Sequence, residues 1–305
     1  MSLETTPWSE LRLTYGITPL KSSTTEQRRR EIARLQTERI AQLPIDALVV
    51  YDLQDESSRT DAERPFPFLQ AIDPLEYAYD YLAAVPQKKV VYRSVAGMLQ
   101  TELVAWLRRL RDLGGAAVLV GAPSKAQPVS LRLEDAYRAR NEHVRDLPLG
   151  GVSIAERHEA RGGEDVRILH KADLGCRFFI SQAVYSVTAS KNLLSDLYYR
   201  CQAAEREVPP VLVTLSPCGS QKTLDFMAWL GVSVPRWLQN ELLHAQDILA
   251  KSVELSVTGF AELHEFAEEK GIFLGCNVES VSLHKLEIEA SVEMIHRIAK
   301  ILKRA

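Results

Sequence analysis

Cysteine is sparse in this chain and poorly spaced for chemistry. Cys176, Cys201, Cys218 and Cys276 are the only four, and no two form a Cys-x-x-Cys pair. A zinc site is therefore not indicated, and a reducing, cytoplasmic setting is the expectation. An excess of basic charge is missing too. Lys and Arg total 37 against 40 Asp and Glu, for a net charge of −3, which leaves no electrostatic footprint for nucleic acid. No run of ~18 apolar residues occurs, so no membrane span is expected. The first residues, Met-Ser-Leu-Glu-Thr-Thr-Pro-Trp, lack the basic start and apolar core of a signal peptide. There is no internal repeat, low-complexity segment or linker. The 305 residues, 46% hydrophobic and 25% charged, are thus expected to form a single domain over 1–305.

What is present is a rhythm. Short apolar runs occupy 11–17, 47–51, 89–92, 116–121, a stretch opening at Pro148, 178–182, 210–216 and 271–276. Helix-patterned stretches separate them, at 24–43, 74–84, 97–113, 130–141, from about Glu164 to Gly175, 189–204, 219–230, 235–269 and 280–305. Pro74 suits a helix start, Gly114-Gly115 a helix end, and Ser130 a cap. Val166, Leu169 and Ala172 sit at helical spacing. Eight strands, each followed by helix, predict a (β/α)8 barrel of the TIM type. Nearly continuous apolar strands suit a parallel sheet covered on both faces. An open doubly wound sheet is the rival; the count of eight and the helix after the last strand favour the barrel.

In a barrel, chemistry lies past the carboxyl ends of the strands. The loop 52–73 is the longest polar one and sets Asp52, Asp55, Glu56, Asp61 and Glu63 against Arg59 and Arg64. Loops of this length are functional or mobile, and a carboxylate there, Asp52 or Glu56, is a candidate proton donor if burial raises its pKa. The alternative is a solvated loop with internal ion pairs. Glu156, Arg157 and His158 place an acid, a base and an imidazole past strand five, with a local ion pair as the bland alternative. Gln182 and Tyr185 end strand six, where an amide suits the edge of a heteroaromatic ring. These two clusters are expected to face one cleft. After strand seven, Gly219-Ser-Gln-Lys222-Thr lacks the leading glycine of a Walker loop, yet a loop in that place can still hold a phosphate. Cys218 has no evident base beside it and reads as structural.

The chain resembles the methylenetetrahydrofolate reductase family. The likeness is carried by Ile154-Ala-Glu-Arg-His158 against the family's Tyr-Pro-Glu-x-His-like loop, by Lys171-Ala-Asp-Leu-Gly-Cys176 and by Ile180-Ser-Gln182 against Ile-Thr-Gln. Val234-Pro-Arg-Trp-Leu238 matches Ile-Pro-x-Trp. The resemblance implies a barrel oxidoreductase of one-carbon metabolism, with FAD, NADH or NADPH, and a folate-type small molecule; homo-oligomerisation is left open. Carried over by position, Gln182, with Tyr185 nearby, meets the pterin, while Tyr51, His158, Glu164 and Lys171 line the flavin. Two acids of the family pattern are missing. Gly16 stands where the first strand carries its catalytic Glu, and Val120-Gly-Ala122 replaces the Arg-Gly-Asp that ends strand four. Three readings follow: Asp52 or Glu56 supplies the proton, hydride passes directly from a nicotinamide without flavin, or the barrel binds a folate or a partner without catalysis.

Overall fold

The eight apolar runs become eight parallel strands that close in chain order. They are β1 (Leu13–Ile17), β2 (Ala47–Val50), β3 (Lys88–Ser94), β4 (Ala116–Val120), β5 (Leu149–Ser153), β6 (Phe178–Ala183), β7 (Val211–Leu215) and β8 (Leu274–Glu279). The structure is a computed structural model that describes residues 7–56, 62–122 and 127–303; Arg59 and Asp61 of the sequence reading lie outside them. The protein is a (β/α)8 TIM barrel.

Strand alternation divides the apolar residues into two layers. Val49, Val90, Tyr92, Val118, Phe178, Ile180 and Leu212 belong to one cluster, which fills the barrel. Tyr15, Leu48, Val50, Leu119 and Phe179 belong to another, shared with the surrounding helices. Gly150 and Gly151 of β5 are small because their register partners on β6 are Phe178 and Phe179. A Cβ would sit 2.5 Å from the Phe178 ring at Gly150 and 2.7 Å from the Phe179 ring at Gly151.

The helices are α1 (Glu26–Ile40), α2 (Pro74–Glu76, continued by a π-turn at Tyr77–Tyr81), α3 (Gln100–Asp112), α4 (Leu133–His143), α5 (Ala155–Arg161), α6 (Glu164–Asp173), α7 (Val187–Ala203), α8 (Gln221–Trp229), α9 (Arg236–Leu243), α10 (Ile248–Glu269) and α11 (Lys285–Ile301). Several boundaries differ from the sequence reading, three of them by more than fraying at an end. Ser130 is no cap, since α4 starts at Leu133 with Arg132 before it. The segment 155–158, read as loop, is the first part of α5. Strand eight begins later and runs to Glu279 rather than ending at Cys276.

Two features lie over the carboxyl ends of the strands. The pair α8–α9 packs its own small core on Ala183 and Tyr185, just past β6. The described part of the β2–α2 loop from Ala62 onward packs on α8, where the Trp229 indole N–H donates to the Ala62 carbonyl at 3.0 Å. It then returns to the β1–α1 loop through a bridge between Lys21 and Ala71. Among the described residues, no helix is long and apolar enough to cross a membrane.

Candidate functional site

Closure of the barrel sets the start of the chain beside its end. Gly16 pairs with Val49 on one side and with Glu279 on the other. A Cβ at Gly16 would lie 2.7 Å from the Tyr51 ring and 3.1 Å from Glu279 Cβ. Tyr51 and Glu279 therefore fill the space that a side chain on β1 would need. The position expected to carry an acid has none, and a carboxyl stands next to it on the neighbouring strand.

The polar groups below Glu279 form a chain whose direction is fixed. The Ser181 carbonyl can only accept, and it takes the Thr214 hydroxyl proton at 2.6 Å. Thr214 Oγ1 must then accept, and the Asn277 amide donates to it at 3.2 Å. The same amide donates to the Tyr51 oxygen at 2.8 Å, while Thr14 donates to the amide oxygen at 2.8 Å and so fixes its orientation. Having accepted from Asn277, Tyr51 has its own proton free to turn toward the Glu279 carboxyl, whose pKa it lowers.

Burial pushes the Glu279 carboxyl up to about 7, although the Tyr51 hydrogen bond pulls it down. Tyr51 itself rises well above its ordinary value, from burial first and the neighbouring carboxylate second. Tyr92 meets Tyr51 edge-on at 4.8 Å. Glu279 is half-buried as a residue and ends β8 at its carboxyl end, the side on which barrels bind their ligands. A proton donor working near pH 7 needs that combination.

A second carboxyl behaves similarly. Glu156, in the first turn of α5, has both oxygens buried without a hydrogen-bond partner, and burial pushes it to about 7.

The residues expected from the sequence are placed as follows. Asp52 ends β2 with one oxygen accepting from the Ser94 backbone N–H at 2.8 Å and the other from Gln54 at 2.9 Å. It ties β2 to β3, and burial raises its pKa. Glu56 is half-buried and engaged with a partner. Gln182 donates to the Leu230 carbonyl at 2.9 Å, linking β6 to the end of α8. Tyr185 is buried and donates to the Ser216 carbonyl. Tyr51 belongs to the Glu279 chain.

His158, Glu164 and Lys171 were expected to face the cleft and line a flavin. His158 Nδ1 accepts from the Glu164 backbone N–H at 3.3 Å, so Nε2 donates to Asp196 at 2.9 Å. The Glu164 side chain is wholly buried and takes both arms of the Arg157 fork at 2.7 Å. Lys171 donates to the Val152 carbonyl at 2.6 Å. These groups knit β5, α5, α6 and α7 together. They do not fit a flavin, because each is already engaged within the protein. The strand-seven loop does not fit a phosphate either. Glu287 of α11 accepts from the Gly219 N–H at 2.8 Å and from Thr223 at 2.9 Å, which puts a carboxylate where the anion would sit. Cys218 is buried, with its thiol pushed up to about 11, and remains structural.

Sequence reading placed Thr14, Asn277 and Glu279 among the strand-end positions but gave them no role. The signal was the alternation that continues past Cys276: Gly275, Asn277 and Glu279 on one face, Leu274, Cys276 and Val278 on the other. Among the described residues, no group of three His, Cys, Asp or Glu is placed to hold a metal.

No protein-family model matches the chain, and no curated protein sequence does. Among solved structures, an uncharacterized protein from Clostridium thermocellum is 45% identical, with a TM-score of 0.85 over 96% of each chain. This chain belongs to that protein's family. The Clostridium thermocellum member binds two copies of 5-methyl-5,6,7,8-tetrahydrofolic acid. A GH113 β-1,4-mannanase, 11% identical with a TM-score of 0.51 over 92% of this chain and 93% of its own, shares the fold alone.

Proposed function

We propose that this protein binds a reduced folate at the mouth of its barrel and reduces the folate's one-carbon unit, with Glu279 as proton donor. The observation that carries this reading is Glu279 itself, a half-buried carboxyl near pKa 7 whose register partner is Gly16. The family member that binds 5-methyltetrahydrofolic acid supports the ligand class. The resemblance to methylenetetrahydrofolate reductases supports the reaction. Opening a methylene bridge between two folate nitrogens needs a proton on one nitrogen and a hydride on the carbon. Glu279 gives the proton, and NADH or NADPH gives the hydride directly to the carbon, leaving a methyl group on the other nitrogen. No step is routed through a flavin.

A second reading is a folate-binding or partner-binding barrel subunit without catalysis. The engagement of His158, Glu164 and Lys171 inside the protein favours it over a flavin enzyme.

Calorimetry with 5-methyltetrahydrofolate, paired with NADH and NADPH oxidation in the presence of methylene-tetrahydrofolate, separates the two. The reductase reading expects binding and turnover. It also expects Glu279→Gln to lower turnover ~10²–10⁴-fold with affinity kept within a few fold. Binding without nicotinamide oxidation would leave the second reading, and no binding would remove both.

A further inference from the structure

We infer that Arg64 and Lys222 form a clasp for the anionic glutamyl tail of the ligand; the inference rests on the folate reading. Arg64 lies two residues past Ala62, on a segment tied to α8 by the hydrogen bond from Trp229 to Ala62. Its guanidinium is set among three aromatic rings, with Cζ 4.9 Å from the Trp229 centroid, 5.3 Å from Phe68 and 5.4 Å from Phe226. Ring faces attract a cation but satisfy no N–H donor. Arg64 Nε and Nη1 are buried and make no hydrogen bond. Unmade bonds at a buried charged group are costly, so these two N–H groups are donors that an anionic partner can take up.

A second cation shares the aromatic cluster. The Lys222 ammonium at the start of α8 sits 4.6 Å from the Phe66 centroid, and Phe66 meets Phe226 edge-on at 5.3 Å. Two cations held on adjoining rings offer a multivalent anion two points of attachment. The chain as a whole carries −3, so an acidic ligand gains nothing from its general field and needs a local cationic seat. A folate supplies the partner. Its tail ends in a glutamate with two carboxylates, and further glutamates add one each. The planar fork of Arg64 suits a carboxylate through paired N–H bonds, and Lys222 suits a second as a point charge. The clasp and the acid are then separate parts of one site: Glu279 addresses the pterin end, and the segment over α8 holds the tail.

The test is calorimetry on the full chain with three ligands: 5-methyltetrahydrofolate, its triglutamate, and the tail-less 6-methyltetrahydropterin. Arg64→Gln is expected to weaken both tailed ligands about tenfold or more, as loss of a charge-assisted hydrogen bond does, and to leave the tail-less pterin unchanged. Arg64→Lys keeps the charge but not the fork and should lose most of the same affinity. Lys222→Gln should weaken the triglutamate more than the monoglutamate. Thermal melts check that each variant is folded. Equal weakening of tailed and tail-less ligands by Arg64→Gln would mean that Arg64 only pins the segment, and the clasp would be overturned. So would a wild-type protein that binds the tail-less pterin as tightly as the tailed ligands, with the folate reading intact. Failure of all three ligands to bind would instead strike the folate reading and take the clasp with it.

Discussion

Glu279 should make the protein lose stability as the pH rises, and Glu279→Gln should remove that loss. In the folded chain the carboxyl titrates at about 7 against an ordinary 4.5. The folded state thus holds the proton more tightly than the unfolded chain does. The group's contribution to stability is fully present below pH 4.5 and is lost as the pH climbs through 7. At ~1.4 kcal/mol per pH unit, the full rise is worth about 3 kcal/mol. Glu279 is only half-buried, and solvent screening brings the expected figure down to about 1–3 kcal/mol. Urea unfolding of wild type and Glu279→Gln at about pH 5 and about pH 8 measures it, each curve extrapolated to water. Glu156 also titrates at about 7, but it is common to both proteins and cancels in the difference. Wild type should fall relative to the variant by that amount between the two conditions. If the two proteins change in parallel, the carboxyl is ionised throughout and the proton-donor role of Glu279 is refuted.

Two further outcomes follow from the same contacts. Tyr51→Phe removes the hydrogen bond that favours the Glu279 carboxylate; the pKa should climb by about one unit, since one unit is ~1.4 kcal/mol. Carbon-13 NMR titration of glutamate carboxyls reads the change, and an unmoved or lowered Glu279 would show that Tyr51 does not donate to it. Gly16→Ala sets a methyl 2.7 Å from the Tyr51 ring and 3.1 Å from Glu279 Cβ. This overpacking should cost about 1–3 kcal/mol in urea unfolding; a variant as stable as wild type would mean that the two side chains do not fill that space.

The sequence by itself determined the barrel. Eight apolar runs separated by helical stretches admit few closed parallel arrangements, and local pattern suffices to find them. It also carried the matched sizes of Gly150-Gly151 and Phe178-Phe179, whose meaning appears once β5 and β6 lie in register. The absence of an acid at Gly16 was legible. The carboxyl beside it was not, because Glu279 and Gly16 become neighbours only when β8 closes on β1, across a separation like the 263 residues between Thr14 and Asn277. The direction of the hydrogen-bond chain from Ser181 to Tyr51 has the same origin, since its members come from β1, β2, β6, β7 and β8. His158, Glu164 and Lys171 show the converse. Their residue types and spacing suit a binding cleft, yet the packing of α5, α6 and α7 supplies them with Asp196, Arg157 and the Val152 carbonyl. Residue type offers a hydrogen-bonding capacity, and tertiary structure decides whether the protein or a ligand takes it up. At Arg64 that capacity is left unused.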